Sequence, residues 1–120
     1  MDLAALTDAF AEKWGRGDID GIVDSFAEGA TYHNIPMEPC VGKEAIRTFL
    51  EGFFAMSSSI VFETHHQAVN GNVVLNERTD TITMNGTPTA LPVMGVFEYD
   101  DAGKIVAWRD YFDMGQFSGA

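Results

Sequence analysis

Hydrophobic residues in the first half of the chain recur every three or four positions, which predicts amphipathic helices. The first helix is expected over residues 3–14, with four apolar positions on one face: Leu3, Leu6, Phe10 and Trp14. Asp18 can cap a second helix, which Gly29 is expected to end. Its apolar face holds Ile19, Ile22, Val23 and Phe26. After a short extended segment over residues 30–35, a third helix opens at Gly42, with a stripe of apolar residues: Ile46, Phe49, Leu50, Phe53 and Phe54.

After residues 57–59 the period changes to about two, which predicts β-strands. Four segments alternate in this way: 60–69, 72–84, 91–99 and 104–113. Turn-forming residues separate them: Asn70-Gly71-Asn72, Asn85-Gly86 and Asp100-Asp101-Ala102-Gly103. Helices followed by a meander of strands predict one α+β domain over residues 1–120, with a curved sheet folded around three N-terminal helices.

The net charge of the chain limits the classes of molecule that it can bind. Eighteen carboxylates against seven lysines and arginines give a formal net charge of −11. Such a field repels phosphate backbones and anionic lipid, so we expect neither a nucleic acid nor a membrane partner. The expected ligand is small and neutral or apolar.

Cysteine content and the N-terminal residues bear on compartment. Cys40 is the single cysteine, which excludes an intrachain disulfide and a CxxC site. The first residues lack the basic and apolar segments of a signal peptide, and we expect a cytoplasmic protein.

Candidate chemistry comes from charged residues placed among apolar ones on the strands. Arg78 and Asp80 share a face of the second long strand, and Asp110 lies between Trp108 and Phe112 on one face of the last. A buried carboxylate needs a partner, and the chain has few cations. Arg78 is the economical candidate to lie between Asp80 and Asp110. The alternative, from the second long strand alone, is an exposed pair of charges that contributes little.

Two carboxylates that share one guanidinium in a dry site resist double ionisation, so one keeps a proton near neutral pH. The protonated one is a general acid and the ionised one a general base. Tyr32 and Asn34, on one face of the short early strand, can supply hydrogen bonds to a water beside the base. An acid and a base across a water in an apolar pocket suit the hydration of a neutral, strained electrophile such as an epoxide.

Three segments together resemble the limonene-1,2-epoxide hydrolase family: Tyr32-His33-Asn34-Ile35-Pro36-Met37, Glu77-Arg78-Thr79-Asp80 and Trp108-Arg109-Asp110-Tyr111-Phe112-Asp113. The resemblance covers nearly the whole chain. It implies the cone-shaped α+β fold, with a mixed or antiparallel curved sheet, that this family shares with nuclear transport factor 2, ketosteroid isomerase and the polyketide cyclases.

The resemblance also implies roles. Asp80 would protonate the epoxide oxygen, Asp110 would activate water, and Arg78 would bridge both, while Tyr32 and Asn34 would hold the water. The family reaction is one concerted step without metal, cofactor or covalent intermediate. The pocket wall would be drawn from seven residues: Trp14, Phe53, Phe62, Ile82, Leu91, Val93 and Phe112.

Other interpretations remain open. The same cone can carry an isomerase or cyclase in which Asp80 or Asp110 is the base toward an enolisable ketone, or a binding module without catalysis. The three histidines do not suggest a metal site, because His65 and His66 should point to opposite faces of a strand. Family members are commonly dimeric, and we expect a homodimer.

Overall fold

Helix boundaries follow capping residues. In the computed structural model, which describes residues 1–118, the helices are α1 (Leu3–Gly15), α2 (Ile19–Asp24), α3 (Lys43–Met56) and α4 (Gly115–Ser118). Asp2 and Asp18 each cap a helix by accepting a hydrogen bond from a backbone N–H three residues on, at 3.0 Å in both cases. Gly42 precedes α3 with φ of 90°, a conformation that favours glycine.

The strands form one mixed sheet. Their bounds are β1 (Phe26–Asn34), β2 (Cys40–Val41), β3 (Ser59–Asn70), β4 (Val73–Met84), β5 (Thr87–Tyr99) and β6 (Ile105–Tyr111). The order across the sheet is β2-β1-β6-β5-β4-β3. β1 pairs in parallel with β6, and the other neighbouring strands are antiparallel. The predicted α+β class, with a curved sheet and N-terminal helices, is confirmed.

An aromatic cluster between the helices and the sheet forms the centre of the core. Trp108 of β6 is fully buried and stacks on Tyr32 of β1, with ring centroids 4.4 Å apart. Phe10 of α1 meets the same indole edge-on at 5.0 Å. Burial of each such ring contributes about 1.5–3 kcal/mol. The cluster therefore fixes β6, and the residues it carries, against the helices.

Several predicted boundaries were wrong. The second helix ends at Asp24, and Phe26 begins β1. The prediction placed Phe26 in the helix because the spacing of Phe26 from Ile22 also fits a helical face. Gly29, with φ of 74°, lies at an irregularity within β1 and does not end the helix. β5 begins at Thr87, four residues earlier than expected, and β6 ends at Tyr111. The two-residue strand β2 was not predicted.

A β-bulge interrupts β3. Thr64 pairs with Arg78, but His66 pairs with Glu77, so β3 holds one extra residue at this point. Beyond the bulge, Gln67 lies opposite Asn76. The expectation that His65 and His66 point to opposite faces was wrong. His66 lies opposite Glu77 on the outer face of the sheet, and His65 bonds to Thr79 on that same face.

Three features of residues 1–118 bear on metals, membranes and partner chains. No group of histidine, cysteine and carboxylate side chains in this range is placed to hold a metal ion. No helix among the described residues is long and apolar enough to cross a membrane. The outer face of the sheet exposes Leu75, Met94 and Tyr111. The expected homodimer stays a prediction.

Candidate active site

The inward face of β4 carries the polar centre of the site. Alternation along the strand turns Asn76, Arg78 and Asp80 towards the helices, and each is at most 4% exposed. The interpretation of Arg78 and Asp80 as an exposed pair was therefore wrong. Three consecutive inward positions of one strand form a buried polar row.

All five N–H groups of the Arg78 guanidinium have acceptors. Asp80 accepts two of them, from Nε at 3.0 Å and from Nη2 at 2.8 Å. Asp110 also accepts two, from Nη1 at 3.3 Å and from Nη2 at 2.8 Å. The fifth, on Nη1, goes to Asn76 Oδ1 at 2.9 Å. Because an arginine has five donors and no acceptor, this guanidinium is fully used by the protein.

Asp110 reaches Arg78 across an intervening strand. It lies on β6, while Arg78 lies on β4, and β5 separates the two. At the crossing point β5 has Gly95, which pairs with both Asn76 and Asp110. A Cβ at Gly95 would overlap Arg78 Nη1 and would lie 3.0 Å from Asp110 Oδ1. Glycine at this position therefore leaves the space in which the arginine and the aspartate meet.

A second donor orients the Asp110 carboxylate. Trp108 Nε1, two residues earlier on the same face of β6, donates to Asp110 Oδ1 at 2.8 Å. The indole that anchors the core thus also fixes the Asp110 carboxylate. Phe62 of β3 covers the arginine on another side, with its ring centroid 4.6 Å from the guanidinium carbon.

Burial sets the electrostatics of the triad. It raises the pKa of Asp80 from an ordinary value of 3.8 to about 6, and the lowering effect of Arg78 only partly offsets this. Burial likewise raises the pKa of Asp110, against the same opposing effect of Arg78. One cation between two ionised carboxylates leaves a net buried charge of −1. A proton on one carboxylate removes that charge, so the site favours one acid and one base.

Tyr32 and Asn34 lie where β1 runs beside β6. Tyr32 Oη donates to Asn34 Oδ1 at 3.4 Å, and Asn34 pairs directly with Asp110 in the parallel register. Burial raises the pKa of Tyr32 well above its usual range, so its hydroxyl stays protonated and can donate. The five polar residues expected from the sequence are thus brought to one place, and four of them face the cavity described next: Tyr32, Asn34, Asp80 and Asp110.

A cavity of about 490 Å³ opens in front of these four side chains. All seven residues predicted for the pocket wall line it: Trp14, Phe53, Phe62, Ile82, Leu91, Val93 and Phe112. Further apolar lining comes from Phe49 of α3 and Ile60 of β3. The volume and the apolar wall with a few convergent polar groups are typical of a small-molecule site.

Four of the six methionines of the chain also line this cavity, and we call them the methionine rim: Met37, Met56, Met84 and Met114. Met56 is 66% exposed, and Met37 and Met114 are each more than 40% exposed. Flexible, polarisable thioethers at the opening suit apolar guests of varied shape.

Sequence reasoning assigned no role to Asn76, Gly95 or the methionine rim. Asn76 could have been noticed, because it stands two residues before Arg78 on the same strand face. Gly95 offered only the absence of a side chain in an apolar strand. The rim residues come from four separate places in the chain, namely a bend at Met37, the end of α3, the end of β4 and a turn at Met114, and no single periodic pattern brings them together.

The chain is similar to known proteins over most of its length. The SnoaL-like domain family matches residues 7–108 of the chain. Epoxide hydrolase EphG of Mycobacterium tuberculosis is 32% identical over 109 residues, which cover 89% of this chain and 70% of that protein.

Solved structures share the architecture. An LEH-like epoxide hydrolase from M. tuberculosis has a TM-score of 0.86 at 29% identity, over 98% of this chain and 87% of that one. A SnoaL-like polyketide cyclase from Shewanella denitrificans has a TM-score of 0.89 over 98% of this chain and 94% of that one, and its 13% identity shows the fold alone. The chain therefore belongs to the SnoaL-like domain family, and the resemblance of its sequence to the limonene-1,2-epoxide hydrolases is confirmed.

Proposed function

We propose that this protein is an epoxide hydrolase that adds water to a neutral, apolar epoxide to give a vicinal diol. The observation that carries the proposal is the pair of buried carboxylates that share the Arg78 guanidinium at the wall of an apolar cavity. The names of EphG and of the LEH-like structure, both epoxide hydrolases, support the same reaction.

Asp80 is the proposed general acid. With a pKa of about 6, it holds a proton in about half of the molecules at pH 6 and in about a tenth of them at pH 7. As the epoxide C–O bond breaks, that proton passes to the oxygen and avoids a free alkoxide in an apolar cavity.

Asp110 is the proposed general base. Asn34 and Tyr32 lie beside it and can hold a water by hydrogen bonds. Asp110 takes one proton from this water as its oxygen attacks the epoxide carbon. Turnover therefore leaves Asp80 ionised and Asp110 protonated, and one proton must return to Asp80 before the next cycle.

The proposed reaction is redox-neutral and needs no electron carrier. Arg78 balances the charge of the one ionised carboxylate and orients both, and it has no N–H left for the substrate because all five are donated within the protein. The expected substrates carry no charge, because the wall offers aromatic and aliphatic contacts around few polar groups.

Single turnover of a panel of apolar epoxides in ¹⁸O-labelled water tests this proposal. Label in the diol from the first turnover supports direct attack by water. Unlabelled first-turnover diol means that a carboxylate supplied the oxygen, which overturns the one-step mechanism. If no epoxide is opened, solvent deuterium exchange into enolisable ketones tests the isomerase alternative.

A further inference from the structure

We infer that Asn76 is a positioning residue of this site: it holds the Arg78 guanidinium in the orientation that lets one cation serve both carboxylates. The inference rests on the proposed function for its kinetic consequences and on the hydrogen bonds of Asn76 for its geometry.

The contact between Asn76 and Arg78 completes the arginine's hydrogen bonds. Asn76 Oδ1 accepts the one guanidinium N–H that neither aspartate takes, at 2.9 Å. Asn76 is 2% exposed, so water does not replace this acceptor when the side chain is lost. The same Nη1 makes the longest of the arginine's bonds to a carboxylate, 3.3 Å to Asp110 Oδ1. Asn76 and Asp110 thus hold Nη1 between them.

A chain of hydrogen bonds fixes the direction of the Asn76 amide. Its Nδ2 donates to Gln67 Oε1 at 3.1 Å. Gln67 Nε2 donates in turn to Asp8 Oδ1 at 3.1 Å and to the Ala4 carbonyl at 3.5 Å, both in α1. Since a carbonyl oxygen only accepts, Gln67 must turn its own oxygen towards Asn76, and Asn76 must turn its oxygen towards Arg78. The β-bulge in β3 provides this arrangement by placing Gln67 opposite Asn76.

Gly95 leaves the space in which Asn76 and Arg78 meet. A Cβ there would lie 2.8 Å from Asn76 Oδ1 and would overlap Arg78 Nη1. Asn76, Arg78 and Asp110 therefore converge directly over the backbone of β5. Asp110 lines the cavity but Asn76 does not, so the effect of Asn76 on the reaction passes through Arg78.

The substitution Asn76→Asp tests the role without removing the acceptor. When protonated, the introduced carboxyl keeps an oxygen for Arg78 and an O–H for Gln67. When ionised, it places a third negative charge on a guanidinium that already contacts Asp80 and Asp110. Asp8 lies beyond Gln67, and Tyr32 is the further titratable group near the carboxylates. Because the third negative charge keeps the proton on Asp80 to a higher pH, we expect the fall of kcat/KM with rising pH to begin roughly one pH unit higher in Asn76→Asp than in the wild type, with KM within about threefold.

Two further variants complete the experiment. Asn76→Leu, of similar size but with no acceptor, should lose at least tenfold in kcat at every pH. Asn72→Asp adds the same charge at the β3–β4 turn, where Asn72 Nδ2 bonds to the Tyr99 carbonyl, and should leave the pH profile unchanged. If Asn76→Leu does not fold, the pH dependence of Asn76→Asp decides alone.

A titration of the carboxyl carbons by ¹³C NMR separates failure of this inference from failure of the proposed function. The Asp80 signal, assigned by its loss in Asp80→Asn, should titrate at a higher pH in Asn76→Asp than in the wild type. This holds whether or not any epoxide is hydrolysed. An unchanged Asp80 titration overturns the inference. So does a constant loss of kcat across pH that matches the loss of folded protein by circular dichroism.

Discussion

Replacing Asp80 with asparagine should separate the chemistry of the site from its effect on stability. Asparagine has the same shape but carries no acidic proton, so kcat for epoxide opening should fall on the order of 10²–10⁴-fold. The same substitution should leave the fold as stable as the wild type at pH 8, or more stable.

The expected stability change follows from the raised pKa of Asp80, about 6 in the fold against an ordinary 3.8. Because the folded state binds this proton more tightly than the unfolded state, stability falls as the pH rises from about 4 to about 6. At about 1.4 kcal/mol for each pKa unit, the ionised carboxylate costs about 3 kcal/mol above that range. Asparagine removes this cost but turns an amide N–H towards the Arg78 donors, which costs about 1–3 kcal/mol.

Together the two effects predict that the difference in stability between Asp80→Asn and the wild type changes sign with pH. At pH 8 Asp80→Asn should be more stable than the wild type by about 0–2 kcal/mol, which is up to roughly 8 °C in Tm. At pH 4.5, where the folded wild type is largely protonated, the same variant should be less stable. Thermal denaturation at both pH values measures this.

Glu98→Gln is the matched control. Glu98 accepts from Arg109 Nη1 at 2.6 Å on the outer face, and both side chains are about one-third exposed. Such a pair contributes at most about 1 kcal/mol, so the control should keep kcat and lose little stability at either pH. Equal losses of Tm at pH 4.5 and pH 8 in Asp80→Asn, or a wild-type kcat, would refute the reasoning.

Three further outcomes are expected. The logarithm of kcat/KM should fall with a slope of −1 as the pH rises through about 6, because the proton-donating form of Asp80 is lost; a flat profile from pH 5 to 8 contradicts this. Gly95→Ala should lower kcat at least tenfold and stability by about 1–3 kcal/mol, measured by kinetics and urea unfolding, whereas Gly15→Ala, where a Cβ meets open space, should be tolerated. Oxidation of the methionine rim by peroxide should raise KM for apolar epoxides with little change in kcat, because sulfoxides make the cavity mouth polar; an unchanged KM, with oxidation verified by mass spectrometry, contradicts this.

The sequence predicts the polar centre of the site because strand alternation and the small number of cations leave few possible ion-pair partners for Asp80 and Asp110. Arg78 and Asp80 share a face by their spacing alone, and Asp110 between two aromatic residues needs a cation. The seven wall residues follow from the family resemblance. The roles of the five polar residues, by contrast, stay predictions.

The sequence prediction failed where a local pattern fitted two structures equally well, or where contacts between distant segments determined the structure. Phe26 fits the apolar face of a helix as well as the buried end of β1. Pro88 argues against a strand, yet it lies in the part of β5 that β6 does not reach, where one side of the strand needs no donors. The bulge in β3 has no signature in the sequence, and it decides which side chain faces Asn76.

The parallel pairing of β1 with β6 has a consequence for how the site comes into being. Asn34 and Asp110 lie side by side although well over half of the chain separates them, so their contact closes one of the longer loops in the molecule. During synthesis the Arg78–Asp80 pair is made well before its partner strand emerges. The buried negative charge and the acid–base pair therefore exist only once folding is complete, and an incomplete chain holds an arginine that has one of its two carboxylates.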